Sequence, residues 1–184
     1  MRILTTVVLL IVVGLAGGLA VLYSGLFNVA ASEPNLALEE WVLSTAMEHS
    51  VRRRAKDVSV PASLEDEARV QAGFVAYEDM CAGCHGAPGV EPDLVGQGLN
   101  PSPPKLEHAA HEWSPGELFW ITRHGVRMTG MPAFGPTHED AELWDLVAFL
   151  GRLPQISADD YRGLRATSGE PDRAGDAPAR GHDH

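Results

Sequence analysis

Two cysteines stand at Cys81 and Cys84 with His85 directly after the second, and the chain holds no other cysteine. Two thiols about one helical turn apart lie on the same side of the backbone, where each can form a thioether to a haem vinyl group. A neutral imidazole on the next residue is a good fifth ligand for the iron. Cys-Ala-Gly-Cys-His is therefore a c-type haem attachment signature. It makes Cys81 and Cys84 the covalent anchors and His85 an axial ligand of one haem c per chain. Three other chemistries use paired cysteines. A thioredoxin-like redox pair expects a βαβ pattern nearby, and none is legible; a zinc site wants further Cys/His pairs at metal-ligand spacing. The third is a pair of structural cysteines.

Iron held by His85 alone is open on its far side. The downstream candidates to close it are Met128, Met131, His108, His111, His124 and His138. Met131 stands in Gly130-Met-Pro-Ala-Phe-Gly135, where Pro132 fixes the backbone after the ligand and the glycines permit an irregular path. A thioether presented by a stiff loop is a sensible sixth ligand. Met128, three residues earlier, serves if the loop is registered differently. His108 and His111 share a helical face, a pattern more common on surfaces than in ligand sets. Arg123 and Arg127 carry guanidinium forks that suit haem propionates, and solvated surface positions are their alternative.

These groups need elements to position them. Ser63 followed by Glu65, Asp66 and Glu67 reads as a helix N-cap with an acidic first turn. Ala68, Val70, Gly73, Phe74 and Tyr77 then lead into Cys81 as one helix. Gly73 in its middle costs about 1 kcal/mol relative to Ala, which a tight helix crossing would offset. The partner is Asp140 to Leu153, where Leu143, Trp144, Leu146, Val147, Phe149 and Leu150 form an apolar stripe closed by Gly151 and Pro154. Gly86 to Pro104 is a Gly- and Pro-rich ordered loop that a haem edge would hold. Glu117 to His124 is a short helix ended by Gly125.

The chain has room for one modest domain plus extensions. Ile3 to Ser32 carries no charge, and Leu4 to Leu22 is long enough to cross a bilayer. Residues 1–27 are therefore an N-terminal transmembrane anchor. A cleaved signal peptide is the competing reading, with Val29-Ala30-Ala31 as its site, although the apolar run exceeds the usual signal length. Arg2 before the span and Glu33, Glu39 and Glu40 after it place the N-terminus in the cytoplasm and the rest on the outer face. Residues 28–63 form a polar connector, a solvated spacer helix near the membrane surface; residues 64–155 form the haem domain. Residues 156–184 read as a disordered tail, because Asp, Gly, Ala, Pro and Arg bury too little apolar surface. Its closing Gly-His-Asp-His184 reads as a polar solvated end. A net charge of −11 excludes nucleic acid as a natural partner.

In order and spacing, Cys-x-x-Cys-His85, Pro-Pro-Lys-Leu106, Glu-Leu-Phe-Trp-Ile-Thr-Arg-His-Gly125, Met-Thr-Gly-Met-Pro-Ala-Phe-Gly135 and a Trp-containing last helix resemble class I c-type cytochromes, specifically the bacterial membrane-anchored monohaem type. The resemblance covers about residues 65 to 154. It implies an all-α fold in which the first and last helices cross over a loop-rich haem pocket, preceded by one transmembrane helix. It implies that Met131 is the distal ligand, that the Pro104 carbonyl receives the His85 imidazole N–H, and that Gly73, Phe74 or Tyr77 meets Trp144 at the crossing. The implied function is an electron carrier in a respiratory chain, not an enzyme. It would be tethered to the cytoplasmic membrane with its haem in the periplasm, and would take no small-molecule substrate. Its expected partners are a quinol-oxidising donor and an oxidase or reductase acceptor. A haem-based gas sensor and a haem subunit of a larger oxidoreductase are the alternatives.

Overall fold

The computed structural model describes residues 2–168. They fall into two units, one within Met1–Pro34 and one within Asn35–His184. The first is a single helix, α1 (Arg2–Ser24). Its 23 residues span about 35 Å at 1.5 Å per residue, more than the ~30 Å hydrocarbon layer of a bilayer. It buries no residue and satisfies its own backbone, as a segment crossing lipid must. It is long and apolar enough to cross a membrane, which fits a single-pass anchor.

The second unit is helical, and no strand occurs among the described residues. Its elements are α2 (Ala37–Arg54), α3 (Glu67–Met80), α4 (Ala82–His85), α5 (Leu94–Gln97), α6 (Leu106–Ala109), α7 (Pro115–His124), α8 (Asp140–Arg152) and α9 (Ala158–Ser168). The core lies between α3 and α8, which cross at Gly73. A Cβ there would stand 2.6 Å from the Asp145 carbonyl carbon and 2.8 Å from Phe149 Cβ, and closer still to the Asp145 oxygen. Only hydrogen fits. Phe74 and Tyr77 flank the crossing with ring centroids 5.5 and 5.2 Å from that of Phe149, and Arg69 pairs with Asp145 at 2.6 Å. Trp144, expected at the crossing, is offset by one residue from Asp145, about 100° around the helix. It stacks on Phe119 of α7 at 4.2 Å.

Three expectations need correction. The N-cap of α3 is Asp66, not Ser63. Residues 61–66 close two tight turns, Leu64 N–H to Pro61 and Asp66 N–H to Ser63, and the Ser63 hydroxyl accepts from Arg69 Nε at 3.3 Å. The connector is not wholly a solvated spacer, because Val51 and Ala55 at the end of α2 are buried. Nor is the stretch from 156 a disordered tail throughout, since Ala158–Ser168 is helix α9. Composition averaged its few adhesive residues away. Tyr161, fully buried, packs edge-on against Phe74 and donates a hydrogen bond to the buried Glu78 carboxylate, while Arg165 Nε stands 3.5 Å from the other carboxylate oxygen. Burial and the Glu78 carboxylate hold the Tyr161 phenol well above the usual tyrosine range. The Gly-His-Asp-His end lies outside the described residues.

Gly73→Ala is expected to lower stability by about 2–3 kcal/mol, since overpacking against a fixed backbone outweighs the ~1 kcal/mol that Ala contributes to a helix. Urea unfolding measures this, and an unchanged midpoint would contradict the crossing.

Candidate haem site

The attachment motif is one helical turn added to the end of α3. Cys81 N–H donates to Tyr77 O at 2.9 Å, continuing the α3 ladder, and His85 N–H donates to Cys81 O at 2.9 Å. Cys81 itself bends the chain, with φ −117° and ψ −45°. The far end of the turn is pinned by the Tyr77 hydroxyl, which donates to Gly86 O at 2.6 Å. The side wall is pinned by α5, whose Asp93 N–H donates to Gly83 O at 2.8 Å. No disulfide joins the two cysteines. Burial and the neighbouring Cys84 push the Cys81 thiol up to about 12, so it is a neutral thiol at physiological pH.

His85 Nδ1 lies 2.7 Å from the Pro104 carbonyl oxygen. A carbonyl only accepts, so Nδ1 carries the proton and Nε2 keeps its lone pair. That tautomer presents an iron ligand with its ring orientation fixed. Burial lowers the imidazole pKa, with the Pro104 bond acting in the opposite direction, and the net shift favours the neutral ring that coordination requires.

Met131 reaches the site on a loop zipped back onto the end of α7. Ser114 and Glu117 start α7 with a capping box, and Gly125 ends it at φ +64°. A Cβ on Gly125 would stand 2.6 Å from the Pro132 carbonyl, so glycine lets the returning chain pass. Val126 N–H then donates to Met131 O at 3.3 Å, Phe134 N–H to Thr122 O at 3.2 Å and Gly135 N–H to Arg123 O at 2.9 Å. Thr129 Oγ1 donates to Val126 O at 2.7 Å and accepts from Met131 N–H at 3.1 Å.

These pieces enclose a cavity of about 310 Å³, a size that suits a sizeable organic group. Cys81, Cys84, His85, Pro104 and Met131 all line it, with Leu99, Leu106, Leu118, Ile121 and Phe134 among its apolar walls. Two thiols, an oriented imidazole and a thioether around one apolar space fit haem c. Met128, in the left-handed region at φ +63°, is 67% exposed and does not line the cavity. His108, His111, His124 and His138 do not line it either. His124 lies against the Trp120 ring and His138 against Phe134. Arg123 and Arg127, expected at the propionates, are also absent from the lining. Arg123 Nε turns to Asp140 at 2.8 Å, and Arg127 is exposed. Sequence reasoning missed Met47, Met80 and Trp113, which line the cavity. No motif marks them, because lining depends on packing.

Residues 68–150 match the family described as cytochrome C oxidase, cbb3-type, subunit III. They form a c-type cytochrome domain. Comparison with curated proteins returns no significant match. The cytochrome domain makes this a haem c protein of electron transfer, and it carries the all-helical architecture expected of the class. Helices α2 and α9 and the α1 anchor lie outside the matched stretch.

In the full chain made without haem attachment, with its helical fold verified by circular dichroism, Cys81 is expected to react with iodoacetamide far more slowly than Cys84, which is partly exposed. Mass spectrometry of the alkylated peptide reads the order. Equal rates would contradict the burial of Cys81.

Proposed function

We propose that the chain is a membrane-tethered monohaem electron carrier whose haem is bound covalently through Cys81 and Cys84. Its proximal ligand is His85, oriented by Pro104, and its distal ligand is Met131. The observation that carries this reading is the convergence of the two thiols, the Nδ1-tethered imidazole and the loop-borne thioether on one cavity. The haem would supply a one-electron Fe(III)/Fe(II) couple, with a potential raised by methionine ligation and apolar surroundings.

The residues around the site favour electron transfer over bond chemistry. His85 is held to one tautomer and orientation. Met131 is fastened by its own carbonyl, which accepts from Val126 N–H, and by the N–H groups of Phe134 and Gly135, which donate to Thr122 and Arg123 of α7; this supports a ligand that stays in place as the charge changes. Among the described residues, His85 and the two thiols are the titratable groups that line the cavity, and they make no pairing of acid and base. The α1 anchor supports a location on the cytoplasmic membrane, with the cytochrome domain on the outer, periplasmic side by the charge asymmetry around the span. The partners are then membrane redox complexes, a quinol-oxidising donor and an oxidase or reductase acceptor, with no nucleic acid and no small-molecule substrate. The description of the matched family, an oxidase subunit, favours a second reading in which the same electron transfer occurs inside a membrane oxidase complex.

Met131→Ala is expected to abolish the methionine-ligated spectrum while leaving the covalent haem in place; Met128→Ala should leave the spectrum unchanged. The reverse pattern in the visible spectra would assign the ligand to Met128.

A further inference from the structure

The geometry points to α2, the helix that follows the membrane anchor, as a fixed wall of the haem cavity, with Met47 as the residue that closes it. The inference rests on the haem reading above. Met47 and Val51 are spaced four apart on one face of α2, and Ala55, which caps its C-terminus, follows at the same spacing. Val51 is 1% and Ala55 8% exposed, and Met47 lines the cavity itself. The helix is held at the α7 side. The Arg52 guanidinium carbon stands 5.8 Å from the centroid of Trp113, and Trp113 also lines the cavity. Behind it, a Cβ on Gly116 in the first turn of α7 would meet Ala55 O and Val58 Cβ at 3.6 Å, so the chain leaving α2 lies against the start of α7.

The position suits a methionine. An unbranched, polarizable thioether fills an irregular gap between a helix and an apolar group. An apolar wall also keeps water away and raises the potential by disfavouring the more charged oxidised state. Met47 is thus a positioning and potential-tuning residue supplied from outside the matched cytochrome domain.

The test uses the full haem-loaded chain in detergent. Met47→Gln keeps the side-chain length and brings a dipole into the wall, and it is expected to lower the midpoint potential, whereas Met47→Leu should keep the wild-type value. A Gln variant with wild-type potential would overturn Met47 as a wall. Docking is read separately by trypsin at Arg52, Arg53, Arg54 and Lys56. Val51→Asp, which charges a buried position, should be cut there on the order of tenfold faster or more than wild type, since cleavage tracks the open population. Equal rates with wild type would overturn the docking. Haem content, measured as the pyridine haemochrome, separates the two levels. A chain without haem overturns the proposed function and the wall together, while the protease result still reports whether α2 is docked.

Discussion

The carbonyl of Asp145 passes so close to Gly73 that no side chain fits between them, and the site depends on that contact. It sets the distance between α3 and α8 and therefore where the end of α3 emerges. Because the attachment motif is the next turn after α3, the same contact decides where Cys81, Cys84 and His85 stand. A glycine that weakens an isolated helix is here the condition for the helix pair, so local propensity yields to packing.

From that fixed turn the rest is arranged by hydrogen bonds to main-chain groups. Tyr77 holds Gly86, Pro104 holds His85, and the Met131 loop is laced to Thr122, Arg123 and Val126. None of these bonds requires a charged partner. The groups that surround the cavity are consequently apolar or neutral; of the two cations that the sequence offered to the site, Arg123 is engaged by Asp140 and Arg127 lies at the surface. An interior of this kind favours a metal centre whose charge changes by one while its surroundings hold still.

Much of this was legible in the residues. The motif fixes its own chemistry because the spacing of two thiols and an imidazole is dictated by covalent geometry, and the stripe from Leu143 to Leu150 announces a buried helix by its period. The sequence was less informative wherever burial is decided by a distant partner. Ser157, with Asp159 and Asp160 after it, carried an N-cap signal for α9: the Ser157 hydroxyl accepts from Asp160 N–H at 3.2 Å. The polar composition around that signal masked it, and Glu78, the group that makes Tyr161 adhesive, is 83 residues away. Trp144 was aimed correctly at the core, but a stripe of apolar residues does not say that its ring stacks on Phe119 of α7. Met47 is invisible for the same reason, since its helix reads as a spacer until the cavity it borders is known.

The proposed ligation, with His85 and Met131 both holding the iron, would close the metal to outside ligands. Carbon monoxide added to the dithionite-reduced, haem-loaded protein tests it most directly through the visible spectrum. No change is expected, because His85 and a fastened Met131 would leave no vacant position. A prompt shift to a carbon monoxide spectrum would contradict it and would make ligand binding, not electron transfer alone, the work of the site.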